Sequence, residues 1–517
     1  MRETIDRLVR TRAAHDGAKP MVIDPNSRLT YRELDTTTRD LAAAFVEADV
    51  GKGTRVGLIM PNGVRWVQVA IALARIGAVL VPLSTLLKPG ELVAQLRAAS
   101  VQFLVSVEEF RGHRYLDEMR TPRPTGLPTL RHIWTADRLA HAPAGDGARR
   151  VIDAMTDTVT PADPLVIIFT SGSSGAPKGV VHSHGSALGA VRSGLAARCI
   201  TADARLYLPM PFFWVGGFGS GILSTLSAGA TLVTEEIPRP DTTLRLLEIE
   251  GVTLFRGWPD QAEALSRHAA TVGADLSSLR AGSMQALLPP EQRAAPGARA
   301  ALFGMTETFG PYCGFPADTD MPPTAWGSCG KPFPGMEVRI VDPDTGEPAA
   351  PKATGMIEVR GPHTLRGICG RSREELFTPD GFYPTGDLGH LDDDGFLFDH
   401  GRSDDMFKVS GATVYPGEVE RGLRTIAGVD NAFVTNVPGA QGERVGAAVV
   451  CGDPALTAEQ LRSSARTLLS AFKVPTVWLV LESDDDVPRG STGKVDTRRL
   501  REMLIDAIQP YWTRVQG

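Results

Sequence analysis

The chain has 517 residues, more than one ordinary domain needs, and its 42% hydrophobic and 22% charged residues are typical of a folded protein with a large core. The formal net charge of −6 lacks the basic excess that favours nucleic acid or an anionic membrane, so we expect small-molecule partners and no nucleic acid. The five cysteines are scattered without a Cys-x-x-Cys pair, which speaks against zinc and against a disulfide framework. A charged N-terminus and the lack of a run of about 18 apolar residues predict a cytoplasmic protein with no membrane span.

Apolar runs rich in Val, Ile and Leu alternate with helical stretches in the first part of the chain. Residues 55–60 predict a buried strand, residues 67–78 an apolar helix and residues 79–84 the next strand, which together make a βαβ unit. The same rhythm returns at residues 164–170 and 252–257, each followed by a helical stretch. The pattern predicts parallel sheets covered by helices.

The composition of the sequence changes at about residue 328. Frequent glycine and proline and the alternating pattern of strands indicate a β-rich subdomain from there on. Residues 404–517 then show an α+β pattern of the length of one small domain. The predicted fold class is therefore α/β. It comprises a large N-terminal domain, residues 1–403, with parallel-sheet α/β subdomains and a β-rich subdomain at about 328–403, followed by a small α+β C-terminal domain, residues 404–517.

Residues 169–180, FTSGSSGAPKGV, combine glycines, hydroxyl side chains and one lysine directly after a predicted strand. Glycine lets backbone N–H groups approach an anion, hydroxyls donate to phosphate oxygens, and lysine adds a mobile positive charge. The spacing is not that of a Walker loop, and a solvated Gly/Ser loop is the alternative interpretation. The candidate phosphate-binding residues are Thr170, Ser171, Gly172, Ser173, Ser174, Gly175 and Lys178.

The order Thr-Ser-Gly-Ser-Ser-Gly-x-Pro-Lys-Gly resembles the phosphate loop of the adenylate-forming superfamily. This superfamily includes acyl-CoA synthetases, the adenylation domains of peptide synthetases and luciferases. Further motifs match in the same order from residues 29–35 to residues 490–500, and the chain is closest in type to free-standing acyl- or aryl-CoA ligases. The segment LRGICG, residues 365–370, departs from the family pattern.

The resemblance assigns the adenine and metal contacts to two short blocks. In FGMTET, residues 303–308, the ring of Phe303 is expected against adenine, with Gly304 and Met305 beside it. Thr306 is expected at the α-phosphate, and Glu307 is expected to hold Mg²⁺, which prefers oxygen ligands. The second block is a turn next to the adenine and the acyl group, formed by Gly282, Ser283 and Met284.

The resemblance assigns the ribose contacts, the hinge and the catalytic lysine to motifs in the last part of the chain. The resemblance implies that Asp387 accepts both ribose hydroxyls and that Arg402 reaches the ribose. It makes Asp404 the hinge about which a mobile C-terminal domain turns. Lys408 is then expected at a phosphate or the substrate, and Gly411 in the thiol tunnel. The catalytic lysine is Lys494, which is expected to stabilise charge as pyrophosphate leaves and to act with Thr306 and Glu307.

The predicted acyl pocket departs from the family pattern. In PMPFFWVGGFG, residues 209–219, Trp214 stands where the family commonly has histidine, which leaves the group that orients the carboxylate unidentified. Its expected neighbours are Phe213, Gly216, Gly217 and Trp258. Two tryptophans at one cavity favour a short or flat aromatic acid over a long straight chain. The alternative is that Phe213 and Trp214, with Phe212, only pack the core.

The implied activity has two half-reactions. A carboxylate first attacks the α-phosphorus of Mg-ATP to give an acyl-adenylate, and the thiol of coenzyme A then takes the acyl group. The alternative is a stand-alone adenylating enzyme that passes its acid, or an unusual acid such as nitrite, to a carrier protein or an amine. A catalytically silent nucleotide-binding relative is disfavoured because Lys494, Glu307 and Asp387 are all present.

Overall fold

The computed structural model describes most of the chain. It covers residues 3–117, 127–136, 138, 145–170, 177–343, 345–403, 407–409, 412–414, 416–439, 442–452, 456–469, 471–490 and 495–512. The chain divides into two compact units. The first unit comprises Met1–Val338, Val359–Tyr383 and Asp394–Leu397, and the second comprises Arg339–Glu358, Pro384–Asp393 and Phe398–Gly517. The boundary expected at Asp404 lies outside the described residues and stays a prediction.

The helices and strands follow one another along both units. The α-helices are α1 (Ile5–Asp16), α2 (Tyr31–Glu47), α3 (Val64–Arg75), α4 (Pro89–Ala98), α5 (Asp146–Asp157), α6 (His184–Ser193), α7 (Ser224–Ala228), α8 (Pro240–Ile249), α9 (Pro259–Val272), α10 (Pro416–Arg424), α11 (Ala458–Leu468) and α12 (Thr497–Trp512). The strands are β1 (Pro20–Asp24), β2 (Ser27–Thr30), β3 (Arg55–Ile59), β4 (Val79–Pro82), β5 (Phe103–Ser106), β6 (Glu109–Phe110), β7 (His113–Arg114), β8 (His132–Thr135), β9 (Pro164–Thr170), β10 (Lys178–Ser183), β11 (Arg205–Tyr207), β12 (Thr231–Val233), β13 (Leu254–Phe255), β14 (Phe303–Met305), β15 (Gly310–Gly314), β16 (Lys331–Pro332), β17 (Glu337–Val341), β18 (Gly355–Arg360), β19 (Gly367–Ile368), β20 (Tyr383–Leu391), β21 (Leu397–Arg402), β22 (Phe407–Val409), β23 (Ala412–Val414), β24 (Val429–Gly439), β25 (Gly442–Cys451) and β26 (Val477–Leu481).

The first unit is built on two sheets that are largely parallel. In its described residues one sheet has seven strands in the order β19-β10-β9-β4-β3-β5-β8, and the other has five in the order β13-β11-β12-β1-β2. The βαβ unit predicted from the apolar runs is confirmed as β3, α3 and β4, with β3 and β4 parallel. A short three-stranded sheet, β14-β15-β16, follows in the chain.

The second unit holds most of a four-stranded sheet in the order β17-β18-β20-β21, and a three-stranded sheet in the order β24-β25-β26. Val419 and Leu423 of α10 and Leu461 of α11 share one hydrophobic cluster with β24 and β25. Leu500 and Leu504 of α12 belong to a second cluster with β25 and β26. The predicted fold class of α/β and α+β parts is thus confirmed. No helix of the described residues combines the length and the apolar character that a membrane crossing requires.

A buried ion-pair network joins the first three helices. Arg75 at the end of α3 is fully buried, and its guanidinium lies 2.9 Å from Asp6 Oδ1 and 2.8 Å from Asp35 Oδ1. Its Nη1 also donates to Thr38 Oγ1 at 3.0 Å. A guanidinium without water needs such partners, because an uncompensated buried charge is strongly destabilising. The network therefore holds α1, α2 and α3 in one arrangement.

We predict that Arg75→Met lowers the free energy of unfolding of the first unit by about 3–5 kcal/mol, because two carboxylates lose their buried partner. The matched control is Arg39→Met, since Arg39 pairs with Asp153 at 2.8 Å on the surface, where an ion pair contributes about 0–1 kcal/mol. Denaturant unfolding of the three proteins measures both values. Equal losses in the two variants would contradict the prediction.

Candidate active site

The predicted phosphate loop closes a β-hairpin. Thr170 at the end of β9 lies opposite Lys178 at the start of β10, and the two strands are antiparallel. The loop therefore leaves a strand end, as expected, but a strand of six residues begins at Lys178 and precedes helix α6. The candidate residues between these strands, Ser171, Gly172, Ser173, Ser174 and Gly175, lie outside the described residues.

The segment 365–370, which departs from the family pattern, lies along the edge of this hairpin and pairs with β10. Its residues Gly367 and Ile368 form the edge strand β19, in which Ile368 lies opposite Val180. The Cys369 N–H donates to the Gly179 carbonyl at 2.9 Å. A Cβ added to Gly179 would lie 3.1 Å from the Cys369 sulfur, so the two backbones approach closely. Residues 365–370 thus support the strand that carries Lys178.

The block 303–308 is a tight hairpin and turn. Phe303, Gly304 and Met305 form β14, which is antiparallel to β15, and the ring of Phe303 meets Tyr312 edge-on at 5.7 Å. Thr306–Thr308 forms one turn of 3-10 helix that ends at Phe309, whose φ of 54° is in the left-handed region that few non-glycine residues adopt. The block places Thr306 and Glu307 on consecutive positions of a constrained turn.

Glu307 is buried and fixed from two neighbouring segments. Its carbonyl accepts from the Leu365 N–H at 2.7 Å, and its carboxylate Oε1 lies 3.4 Å from the Tyr383 hydroxyl. Mg²⁺ usually binds proteins through one or two carboxylates together with substrate phosphates. In the described part of the chain no three His, Cys, Asp or Glu side chains cluster around a metal position. Glu307 is the predicted metal ligand, and its metal role stays a prediction.

His182, Leu365 and Tyr383 contact this block, and none of the three is among the predicted site residues. His182 Nε2 lies 2.7 Å from the Thr306 carbonyl oxygen, and its ring meets Phe309 edge-on at 5.0 Å. The spacing in the sequence could have identified His182 as a neighbour of the site. His182 follows Lys178 by four positions, and alternate residues of a strand share one face.

The two predicted ribose residues lie together in the second unit. Asp387 on β20 and Arg402 on β21 form an ion pair, with Arg402 Nη1 at 3.2 Å from Asp387 Oδ1. The same Nη1 donates to the Thr385 carbonyl at 2.7 Å. Gly386 has a φ of 78°, and a Cβ added there would lie 2.6 Å from the Arg402 guanidinium. This position of β20, directly before Asp387, therefore requires glycine for the arginine to reach the carboxylate.

Three further predicted residues, Asp404, Gly411 and Lys494, lie outside the described residues. Lys408 is in β22, opposite Thr413 of β23.

The predicted acyl residues are brought together in the first unit. The rings of Trp214 and Trp258 meet edge-on at 6.2 Å, and Phe213 meets Trp214 edge-on at 5.5 Å. Phe212 is fully buried and packs against Trp66 at 5.4 Å, whereas Trp214 is partly exposed and Trp258 is 38% exposed. Phe212 and Phe213 are therefore buried, as the core-packing alternative expects, whereas Trp214 is partly exposed.

Gly216 and Gly217 begin a segment of π-helix, Gly216–Leu223. A Cβ added to Gly217 would lie 2.1 Å from the Pro211 carbonyl, and one added to Gly216 would lie 2.7 Å from the Met210 sulfur. These glycines let the backbone turn sharply after Trp214. Such π-helical turns are frequent at functional sites.

The turn at residues 282–284 is tied to the same region. Gly282 has a φ of 96°, and the Ser283 hydroxyl accepts from the Phe255 N–H at 3.1 Å. The Met284 N–H donates to the Phe255 carbonyl at 3.1 Å. The turn is therefore held against the end of β13, three residues before Trp258.

Comparison with known proteins identifies the kind of chain. Residues 9–369 match the model of a family described as AMP-binding enzyme. A 3-[(3aS,4S,7aS)-7a-methyl-1,5-dioxo-octahydro-1H-inden-4-yl]propanoyl:CoA ligase of Mycobacterium tuberculosis is 32% identical, over 96% of this chain and 98% of its own length. A feruloyl-CoA synthase of an Amycolatopsis species is 30% identical, over 90% and 92%. Among solved structures, an anthranilate CoA ligase in complex with anthranoyl-AMP shares the fold with a TM-score of 0.81 at 22% identity, over 97% of each chain.

We predict that Gly304→Ala lowers the free energy of unfolding by about 1–3 kcal/mol, the usual effect of overpacking. The added Cβ would lie 2.2 Å from the Gly310 carbonyl oxygen, so the β14–β15 hairpin must shift. The control is Gly367→Ala in β19, where an added Cβ has no atom within 4 Å. Denaturant unfolding compares the two variants. A Gly304→Ala variant as stable as Gly367→Ala would show that the hairpin is not closely packed.

Proposed function

Because the chain belongs to the AMP-binding enzyme family, we propose that it uses Mg-ATP to join coenzyme A to a carboxylic acid that carries a ring system. The chain is an AMP-forming acid–thiol ligase with ATP, a carboxylic acid and coenzyme A as substrates and Mg²⁺ as the metal that accompanies ATP. A carrier protein or an amine as acceptor is not favoured, since the relatives are named as coenzyme A ligases.

The reaction proceeds in two steps. A carboxylate oxygen bonds to the α-phosphorus of ATP while the bond from that phosphorus to the bridging oxygen breaks, so pyrophosphate leaves and an acyl-adenylate remains. The sulfur of coenzyme A then bonds to the acyl carbon, its proton passes to solvent, and AMP leaves. The adenylate is a mixed anhydride, and its cleavage makes thioester formation favourable.

The roles proposed for the ATP residues follow the motifs. The hairpin loop with Thr170 and Lys178 binds the outer phosphates, Thr306 donates to the α-phosphate, and Glu307 holds Mg²⁺. Lys494 stabilises the charge that develops at the α-phosphate as pyrophosphate leaves. The remaining nucleotide contacts are proposed for Phe303, Gly304, Met305, Gly282, Ser283, Met284, Asp387 and Arg402.

In the second step we propose that the C-terminal domain presents different residues to the active site than in the first step. We assign the hinge to Asp404, about which Lys494 withdraws after adenylation. Gly411 then lines the path of the thiol, and Lys408 contacts a phosphate or the acid during adenylation.

The tryptophan pair is the observation that supports a ring-bearing acid. Trp214 and Trp258 meet edge-on and are partly exposed, so each presents ring surface that a ligand can cover. An aromatic or fused-ring acid gains both buried area and favourable ring geometry there, whereas a flexible chain must also lose rotational entropy. Both relatives named above are named for acids that contain a ring.

A panel of acids tests this function. We expect pyrophosphate release and thioester formation with arylacetic, cinnamic or fused-ring propanoic acids, with kcat/KM at least about tenfold above that of straight-chain acids of equal carbon number, which is about 1.4 kcal/mol. Straight-chain acids that react as well as the ring acids would contradict the proposed class. Pyrophosphate release without a thioester would contradict coenzyme A as the acceptor.

We predict that Trp214→Ala shifts the preference of the enzyme towards larger acids while the KM for ATP stays within about twofold. An indole carries no charge and offers one N–H donor, so Trp214 acts through shape, and each methylene-sized change in the pocket alters discrimination by about 1–3 kcal/mol. The ratio of kcat/KM between small and large ring acids measures the shift. The matched control is Trp326→Ala, an exposed tryptophan outside the acyl block. An unchanged ranking of acids in folded Trp214→Ala would place the wall of the pocket elsewhere.

A further inference from the structure

His182 is a buried titratable residue to which the proposed roles assign nothing. It lies near the end of β10, opposite Val166 of β9, and its side chain is 0% exposed. The alternation of a strand puts Lys178, Val180 and His182 on one face of β10. Four residues of strand span about 13 Å, so His182 lies well away from the loop that closes the hairpin.

The hydrogen bonds of the imidazole ring determine which of its two nitrogens carries the hydrogen. The Thr306 carbonyl can only accept, so Nε2 carries the hydrogen and donates it over 2.7 Å. The other ring nitrogen, Nδ1, faces the Ser186 hydroxyl at 3.5 Å. Burial lowers the pKa of His182 to about 4, so the ring is neutral at neutral pH and keeps this donor and acceptor pattern.

The carbonyl that receives this hydrogen bond belongs to a strained turn. The Thr306 carbonyl also accepts from the Phe309 N–H at 3.0 Å, which closes the turn, and Phe309 has a φ of 54°. A non-glycine residue in that region persists only where its surroundings hold it. His182 supplies such support on one side, through its hydrogen bond and through the edge-on contact with Phe309 at 5.0 Å.

The opposite side of the turn is held by another segment. The Leu365 N–H donates to the Glu307 carbonyl at 2.7 Å, directly after the residue that His182 contacts. Residues 366–369 in turn pair with β10, so the hairpin and the turn are connected by two separate paths. Thr306 and Glu307 are therefore held in register with the strand that carries Lys178.

We propose that His182 is a positioning residue, which donates to the Thr306 carbonyl and thereby holds Thr306 and Glu307 where Mg-ATP binds. This proposal rests on the roles proposed above for Thr306 and Glu307. A side chain that only filled space would be replaceable by an apolar residue of similar volume, whereas a positioning donor is replaceable only by another donor.

The test compares His182→Leu, which removes the donor, with His182→Gln, whose amide nitrogen can donate from a similar place. Calorimetric titration measures the Kd for ATP with Mg²⁺ and with EDTA, in full-length protein and without acid or coenzyme A. We expect His182→Leu to weaken Mg-ATP binding about tenfold and metal-free ATP binding about threefold or less, because Thr306 contacts the α-phosphate in both cases whereas Glu307 acts only through the metal. His182→Gln should restore Mg-ATP binding to within about threefold of the unmodified protein. If His182→Leu fails to fold, His182→Met gives the same comparison with a more adaptable side chain.

The control for the removal of a buried hydrogen bond is Tyr31→Phe. The Tyr31 hydroxyl donates to the Thr225 and Ala230 carbonyls at 3.1 and 2.7 Å, and these hydrogen bonds involve none of the proposed ATP residues, so both affinities should stay unchanged. An apolar His182 variant that keeps its affinity for Mg-ATP, or loses affinity equally with and without metal, overturns the proposal.

Glu307→Gln separates this proposal from the function on which it rests. If Glu307→Gln loses Mg-dependent affinity while His182→Leu keeps it, only the role of His182 fails. If Glu307→Gln also keeps it, the metal role of Glu307 fails and the proposal for His182 falls with it. Because no acid is present, neither result depends on the acid class proposed above.

Discussion

The antiparallel pairing of β9 and β10 is the constraint on which the candidate ATP site depends. Val166 of β9 lies between Leu80 of the parallel strand β4 and His182 of the antiparallel strand β10. One register therefore sets Thr170 opposite Lys178 at one end and buries His182 at the other. A slip of one residue would turn both side chains to the opposite face of the sheet. The phosphate loop and the support of Thr306 are thus consequences of the same hydrogen bonds.

The parallel part of this sheet could be predicted because its strands are buried on both faces and read as continuous apolar runs. Residues 55–59 and 79–82 carry that signal. The helix between them ends at Arg75, and Gly77, with a φ of 69°, follows two residues later. The pairing of β10 carries no such signal, since a buried strand and the start of a helix have similar apolar content. Strand β19 has two residues, too few for any periodicity to identify it.

The candidate site could be predicted as a set of short motifs but not as a set of contacts. His182 and Thr306 are 124 residues apart in the chain, so only the fold brings the imidazole to the carbonyl. The three consecutive aromatic residues at 212–214 show the same limit. Phe212 packs against Trp66 and Trp214 against Trp258, yet the residues lie before a π-helix, where neither the strand nor the helix period assigns a face.

The segment with the predicted acyl residues, 209–219, and the segment with Thr306 and Glu307 are built on different elements, but both contact Phe309. The π-helix that follows Trp214 places Phe218 edge-on to Phe309 at 6.2 Å, and a Cβ added to Gly219 would lie 3.0 Å from the Phe309 ring. Phe309 also closes the turn of Thr306 and meets His182. A change at Trp214 acts on the partly exposed side of the acyl block, whereas a side chain at position 219 would press on the residue that shapes the turn. The proposed acyl pocket can therefore change at Trp214 and Trp258 while the geometry at Thr306 and Glu307 stays fixed, provided that Gly219 remains small.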